Sequence, residues 1–139
     1  MKWELTDCKY GDMIRVKCGS VFHYGIYVND DEIIEFGYPP TLRDKDKENI
    51  VVNIIDIDAF SNGNFIEVGI CDKKELKKKF DTNKIIENAR SRIGEGGYDF
   101  ISNNCEHFAY ECYFGIRYSS QEEEAKNKWR SILDKRRNN

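Results

Sequence analysis

The stretch FHYGIYVNDDEIIEF, residues 22–36, decides the fold because it places two strand patterns on either side of a tight turn. Aromatic and β-branched residues dominate Phe22 to Val28, which is typical of a β-strand. Asn29-Asp30-Asp31 is a turn signal, and Glu32 to Phe36 follows as the second arm of an antiparallel hairpin. The pattern therefore predicts an antiparallel sheet that contains this hairpin.

Further strand patterns flank the hairpin on both sides. Residues 13–18 alternate apolar and polar side chains, and residues 50–57 and 65–70 are rich in β-branched residues. The segment 37–48, which contains two consecutive prolines and a run of charges, predicts a surface loop. Together these patterns predict an antiparallel sheet of about five strands.

Helical patterns replace the strand patterns after residue 70. Each predicted helix begins at a residue whose side chain can cap it: Asp72, then Asp81 or Thr82, then Asn103 or Asn104, and finally Ser120. Strands first and helices afterwards is the order of an α+β domain, with the helices packed on the sheet. The full length, residues 1–139, suits a single domain with a core large enough to be stable.

The last helix, within residues 119–139, is charged and amphipathic. Its apolar residues recur at helical spacing and form a stripe: Ala125, Trp129, Ile132 and Leu133. Basic residues follow the stripe, where they stabilise the negative end of the helix dipole. We expect Trp129 to anchor this C-terminal helix to the rest of the domain.

Charge and hydropathy exclude two classes of partner. The net charge is -3 and acids are interleaved among the basic residues, so we expect no nucleic-acid partner. The longest apolar stretch, residues 50–55, is far shorter than the ~20 residues of a membrane-spanning helix, so we expect no transmembrane anchor. Residues 1–7 do not resemble a secretory signal, which predicts a cytoplasmic protein. The lysine-rich residues 73–79 would still allow peripheral contact with an acidic membrane surface.

Five cysteines occur in the chain: Cys8, Cys18, Cys71, Cys105 and Cys112. They form no CxxC pair, and the chain has only two histidines, so a zinc site would need scattered ligands. We therefore expect no metal and no cofactor. Free thiols also favour a reducing compartment such as the cytoplasm.

Cys105 has the setting of a nucleophile. It lies in NNCEHF, residues 103–108, and if Asn103 or Asn104 caps the helix, Cys105 occupies the first helical turn. Unpaired backbone N–H groups and the positive end of the helix dipole stabilise a thiolate there. The same N–H groups can bind the oxyanion of a tetrahedral intermediate. A nucleophilic thiol also needs a base beside it.

His23 is the predicted base, and Glu35 is its predicted partner. His107 is two residues after Cys105, about 200° round the helix, so it points away from the thiol and we expect a structural role for it. His23 lies on the first arm of the hairpin, where it can reach a helix that packs on the sheet. The hairpin register brings Glu35 within about two residues of His23 along the strand, where a carboxylate can orient the imidazole ring.

Two blocks of sequence carry a family resemblance. HYGIYV, residues 23–28, and NNCEHF, residues 103–108, resemble the signature blocks of the lecithin:retinol acyltransferase family, to which the HRAS-like suppressor phospholipase/acyltransferases belong. Residues 11–14 and 98–115 fit as well, which gives a family core of residues 10–118. The resemblance implies a circularly permuted papain-like fold of the NlpC type, in which the histidine strand precedes the cysteine helix.

The resemblance also implies roles for three residues. The family's nucleophile falls on Cys105 and its base falls on His23. Its third residue, usually a second histidine, falls on Glu35, which is a departure from the family pattern. The charged C-terminal helix is a second departure, because membrane-bound members end in a hydrophobic helix. The implied function is that of a Cys-His-Glu thiol acyltransferase or hydrolase, which forms an acyl-thioester from an ester or amide. Its partner would be a small-molecule or lipid acyl substrate.

Two other functions fit the same residues. A peptidase or amidase closer to the cell-wall NlpC enzymes would use the same thiol and base, although we would expect an export signal for it. A catalytically inactive interaction module of the same fold has no need of a thiolate beside a base, so the intact Cys105–His23 pair disfavours it.

Overall fold

The computed structural model describes residues 1–38, 47–101 and 103–137. Within these residues, six strands form one antiparallel sheet: β1 (Lys2–Glu4), β2 (Met13–Cys18), β3 (Val21–Asn29), β4 (Glu32–Gly37), β5 (Val51–Ile55) and β6 (Ile66–Ile70). Their order across the sheet is β1-β6-β2-β3-β4-β5. The expectation of about five strands missed β1, because three residues are too few to show an alternating pattern.

Helices occupy most of the second half of the described chain. They are α1 (Ile57–Ser61), α2 (Lys73–Lys78), α3 (Thr82–Ser91), α4 (Cys105–Phe114) and α5 (Ser120–Arg137), with a short 3₁₀ turn at Lys47–Asn49. The caps of α2 and α3 are the aspartates predicted for them, Asp72 and Asp81. The α+β class is thereby confirmed.

The hairpin of β3 and β4 has the predicted register. Gly25 pairs with Glu35 and Ile26 pairs with Ile34, and an irregularity separates Tyr27 from Asn29 near the turn. Strand β5 then pairs with β4 and places Asn53 opposite Glu35. Three neighbouring strands thus carry the polar residues that surround Glu35.

The strand predicted for residues 50–57 is too long. Strand β5 ends at Ile55 because Asp56 caps α1, and its side-chain Oδ1 accepts a hydrogen bond from the Ala59 N–H at 2.8 Å. An aspartate at this position satisfies a backbone donor that a strand would leave unpaired. Helix α1 then buries Phe60 against the sheet.

Two apolar cores hold the sheet to the helices. The first core joins strand residues to α3 and α4, and among its buried side chains are Tyr24, Ile26, Ile34, Phe36, Val52, Ile85, Ala89, Cys105 and Phe108. The second core surrounds Phe60 of α1 and consists of Ile14, Val16, Tyr27, Ile33, Ile55 and Val68 in addition to Phe60. Burial of apolar side chains in the two cores is the main source of the fold's stability.

Helix α5 forms where the sequence predicts it, but Trp129 is not its anchor. Trp129 is 63% exposed, and Ile132 and Leu133 are 45% and 47% exposed. The polar first turn makes the contact instead, because both the N–H and the hydroxyl of Ser120 donate to Glu106 Oε1 at 2.9 Å. The loop predicted for residues 37–48 falls largely outside the described residues.

Candidate active site

Cys105 is the first residue of α4, and Asn104 is the cap. Asn104 Oδ1 accepts hydrogen bonds from the N–H groups of Glu106 (3.0 Å) and His107 (3.1 Å), and the Asn104 N–H donates to His107 Nδ1 at 3.1 Å. Asn103 instead holds the preceding loop, since its side-chain amide donates to the Gly97 carbonyl at 2.9 Å. The reciprocal bonds of the cap fix the position of the Cys105 backbone.

The Asn104 cap reduces the number of backbone N–H groups at the N-terminus of α4 that can donate to an oxyanion. We expected several first-turn N–H groups to be unpaired, but Asn104 occupies those of Glu106 and His107. The structure shows no acceptor for the Cys105 N–H within the described part of the chain. Among the first three N–H groups of α4, only that of Cys105 is therefore available to donate to an oxyanion. The expectation that several such groups would be available was wrong.

His23 lies between the thiol of Cys105 and the carboxylate of Glu35. Its Nε2 is 3.3 Å from Glu35 Oε1, and Cys105 lies close enough to raise the pKa of His23. Because Nε2 faces the carboxylate, Nδ1 is the nitrogen that remains for the thiol. The ring of Phe60 packs against the imidazole, with centroids 5.3 Å apart. The structure therefore brings the three predicted site residues together.

The surroundings of His23 favour its charged form. Burial alone disfavours the imidazolium, but the charge and hydrogen bond of Cys105, together with those of Glu35, outweigh burial and raise the pKa of His23 well above its ordinary value. The side chain still keeps 24% of its surface exposed. A protonated His23 beside a thiol stabilises the thiolate and can donate a proton to a leaving group.

Asn53 fixes the carboxylate of Glu35. Glu35 is only 3% exposed, and Asn53 Nδ2 donates to Glu35 Oε2 at 3.1 Å and to the Gly37 carbonyl at 3.0 Å. Sequence reasoning missed Asn53, although one signal was present: an amide interrupts the apolar run of residues 51–55. A polar residue in a buried strand usually has a specific partner.

Gly37 leaves the space in which the carboxylate and the imidazole meet. A Cβ atom at this position would collide with the Glu35 carboxylate and would lie 3.3 Å from His23 Cε1. The reason for glycine here is therefore steric, because the backbone itself has no positive φ angle at this position. Sequence reasoning did not single out this residue.

An apolar cleft of about 290 Å³ opens beside His23 and Glu35. Its remaining walls are mostly aromatic or aliphatic: Phe36, Tyr38, Ile50 and Tyr98. The rings of Phe36 and Tyr98 pack edge to face with centroids 5.1 Å apart. Burial, together with the charge of Cys105, raises the pKa of Tyr98.

His107 faces away from this arrangement. It is fully buried, its Nδ1 accepts the Asn104 N–H, and its Nε2 is 3.4 Å from Glu122 Oε2 on α5. Burial and the charge of Arg117 lower the pKa of His107, which favours the neutral ring. Its contacts are those of a residue that joins the cap of α4 to the start of α5.

Three of the other cysteines are held in the thiol form. Burial and the charge of Asp12 raise the pKa of Cys8 to about 11, and burial raises the pKa of Cys112 to about 12. Burial also raises the pKa of Cys71. The described residues contain no group of histidine, cysteine and acidic side chains that could hold a metal ion. None of the helices in this described part of the chain has the length and hydropathy to cross a membrane.

Comparison with known proteins gives a consistent result. Residues 6–118 match the family model described as lecithin retinol acyltransferase. The chain is 26% identical over 141 residues to lecithin retinol acyltransferase from Mus musculus, an alignment that covers 87% of this chain and 61% of that protein. It is also 26% identical over 129 residues to phospholipase A and acyltransferase 3 from Homo sapiens, covering 87% of this chain and 80% of that protein. The Mus musculus form of the latter is 29% identical over 129 residues.

Proposed function

The chain belongs to the lecithin retinol acyltransferase family, and from this premise we propose that it is a cysteine-dependent acyltransferase or hydrolase. In this proposal Cys105 is the nucleophile and His23 is the general acid and base. Glu35 orients His23 and stabilises its protonated form. The observation that carries the proposal is the position of His23, which lies 3.3 Å from the Glu35 carboxylate and close enough to Cys105 for the two to interact electrostatically. A carboxylate is a competent orienting group although the family usually has a second histidine there.

In the first half of the reaction, the Cys105 thiolate attacks the carbonyl carbon of an ester or amide. A C–S bond forms, and the tetrahedral oxyanion accepts a hydrogen bond from the Cys105 N–H. The bond to the leaving group then breaks, and the His23 imidazolium donates its proton to the leaving oxygen or nitrogen. The products are an acyl-thioester on Cys105 and a neutral His23 that can act as a base.

In the second half, His23 removes a proton from water or from another acceptor. The acceptor attacks the thioester carbonyl, the C–S bond breaks, and the thiolate–imidazolium pair is restored. Glu35 stabilises the imidazolium in both halves because its negative charge lies 3.3 Å from Nε2.

We propose a lipid or other acyl ester as the substrate class. The apolar cleft beside His23 supports this choice, because aromatic and aliphatic walls bind an acyl chain better than a charged peptide. The names of the relatives, which include a phospholipase A, point in the same direction. Free thiols on all five cysteines are compatible with the reducing cytoplasm that the sequence predicts.

We extend the proposal to the arrangement of the domain. The family core covers residues 10–118 of a single domain, and the histidine strand β3 precedes the cysteine helix α4 along the chain. This order is the one that a circularly permuted papain-like fold of the NlpC type would have, since geometry rather than chain order defines such a site.

Intact-mass spectrometry tests the proposed function. The protein is incubated with p-nitrophenyl butanoate and with a short-chain diacyl phosphatidylcholine, and then quenched in acid. We expect one added acyl group on the parent protein, located on Cys105 by peptide mapping, and none on Cys105→Ala. Cys112→Ala is the matched control, since it removes another buried thiol from the same helix. An acyl group that persists on Cys105→Ala would refute the assignment of the nucleophile.

A further inference from the structure

The second half of α5 is exposed on every side. All side chains of residues 126–136 are exposed, and three of them are large and apolar: Trp129, Ile132 and Leu133. Among the described residues, the hydrogen bonds and ion pairs that join α5 to the rest of the domain come from its first turn, as in the bonds from Ser120 to Glu106. Most helical stability in proteins comes from the packing of an apolar face, so a partner that covers these side chains would stabilise this half of α5.

The apolar side chains form a stripe along one side of the helix. At about 100° per residue, Ile132 lies about 60° from Trp129 in one direction and Leu133 lies about 40° from it in the other. Ala125 falls between Ile132 and Trp129. The stripe is thus about 100° wide, which is the width of a helical face that packs against one apolar surface.

Basic residues flank the stripe on both sides. On one side of Trp129, Lys126 and Arg130 lie about 60° and 100° away from it around the helix. On the other side, Lys128 and Lys135 lie about 100° and 120° away. Long basic side chains at such positions can lay their apolar stems along the stripe and extend their charges beyond it.

The exposed half of α5 carries a net positive charge. Residues 126–136 contain five basic residues and one acid, Asp134, which lies on the face opposite the stripe. Of the five, Arg136 continues the stripe, and Lys126 is the one that the described part of the chain shows in an ion pair, with Glu122 Oε1 at 3.3 Å. The other four positive charges are therefore available to a partner with negative charge.

We propose that residues 126–136 bind the surface of a membrane that contains anionic lipids. The apolar stripe enters the boundary between the headgroups and the acyl chains, and the flanking basic side chains reach the lipid phosphates. Tryptophan suits this boundary because its ring is apolar and its N–H is polar. The contact is separate from the proposed reaction, since it needs no turnover at Cys105.

A second copy of the chain fits this surface less well. Two stripes packed together would bring the basic residues of both copies close to each other, and like charges repel. The acids that could balance them, residues 122–124, lie in the first turn of α5, where Glu122 Oε2 is 3.4 Å from His107 Nε2. An anionic membrane instead attracts each of the basic residues that reach its surface.

Sedimentation with vesicles tests the proposal. The protein is mixed with vesicles of equal parts phosphatidylcholine and phosphatidylserine, and with vesicles of phosphatidylcholine alone. We expect binding to the anionic vesicles to be at least about tenfold tighter than to phosphatidylcholine alone. We also expect high salt to weaken it at least about tenfold, because salt screens the charges of the lipid and of the helix.

One pair of variants tests the stripe. Trp129→Asn removes its largest apolar side chain, and Trp129 is 63% exposed, so the domain should fold as the parent does. Phe65→Asn is the matched control, because Phe65 is 84% exposed and lies outside α5. We expect Trp129→Asn to bind the anionic vesicles at least about tenfold more weakly than the parent, and Phe65→Asn to bind them as the parent does.

A second pair tests the charges. Lys128→Glu with Lys135→Glu reverses the charge on one side of the stripe. Lys73→Glu with Lys77→Glu makes the same change on α2, where both lysines are also exposed. We expect the α5 double variant to lose binding to the anionic vesicles at least about tenfold, with a much smaller effect of the α2 double variant.

Three results would overturn the inference. The first is a parent protein that does not bind the anionic vesicles, or that binds both kinds of vesicle equally. The second is a loss of binding in the α2 double variant that the α5 variants do not show, which would place the membrane contact on α2. The third is a dimer in analytical ultracentrifugation that Trp129→Asn separates while vesicle binding stays unchanged, which would show that a second copy covers the stripe.

Discussion

Replacing Glu35 by glutamine keeps the size of the side chain but removes the negative charge beside His23. The two partners of the carboxylate, Asn53 Nδ2 and His23 Nε2, both donate hydrogen bonds when His23 is protonated. A glutamine has only one oxygen, so its NH₂ group must face one of these donors. The variant therefore loses both the charge and one hydrogen bond.

The magnitude follows from the distance between Glu35 and His23. Two unit charges 3.3 Å apart interact by about 5 kcal/mol at an effective dielectric constant of about 20. About a quarter of the His23 side chain is exposed, and one hydrogen bond to glutamine remains, so part of this energy is retained. We expect a loss of roughly 1.4–4 kcal/mol in the transition state, which is about a 10- to 1000-fold slower turnover.

The assay measures the p-nitrophenol burst and the steady-state rate, with the melting temperature as a check on folding. Glu67→Gln is the matched control, because Glu67 is also a strand glutamate that pairs with a base, Arg15, at 2.9 Å. It should turn over at the parent rate, and Glu35→His should recover part of the loss. If Glu35→Gln, Glu35→Ala and Glu35→His all turn over at the parent rate, Glu35 has no part in the reaction.

Three further predictions concern the surroundings of the site. Gly37→Ala should slow turnover about tenfold or more, because the added Cβ displaces the Glu35 carboxylate. Gly96→Ala is the control, since the added Cβ there meets open space and should leave turnover unchanged. Equal turnover rates for the two variants would contradict the prediction. His107→Ala should lower the free energy of unfolding, measured in urea, by about 2–4 kcal/mol. If this variant is inactive but as stable as the parent, the base has been assigned to the wrong histidine. The raised pKa of His23 means that its stabilising contribution is present below about pH 6.5 and is lost as the pH rises through the folded-state value. The difference in unfolding free energy between the parent and His23→Ala should therefore shrink from about pH 6 to pH 9, and a constant difference would exclude the coupling.

The hairpin and the cysteine helix could be predicted because local signals fix them. The turn at residues 29–31 sets the strand register, and the register alone brings Glu35 opposite Gly25, next to His23. The Asn104 cap sets where α4 begins and so places Cys105 in its first turn. Each of these features depends on residues close together in the sequence.

The features that were missed depend on tertiary packing. In the sequence, Asn53 is only a polar residue in an apolar strand, and its role becomes visible when β5 pairs with β4 and places it opposite Glu35. Gly37 likewise looks like a loop residue, because its steric role depends on the positions of His23 and Glu35 in the folded protein. Asp56 looks like a polar strand residue because α1 is only five residues long. The Trp129 stripe has helical spacing, but amphipathic spacing does not reveal whether another surface covers it.

Competitive alkylation tests most directly whether His23 activates Cys105. The protein is labelled to a small extent with iodoacetamide at about pH 6.5, and the modified cysteines are quantified by peptide mapping. Burial raises the pKa values of the Cys8, Cys71 and Cys112 thiols further above this pH, whereas in the proposed mechanism His23 stabilises the thiolate of Cys105. We expect Cys105 to react at least about tenfold faster than each of the other four cysteines, and His23→Ala to remove this preference. Equal labelling of Cys105 and the exposed Cys18 in the parent protein would contradict the account.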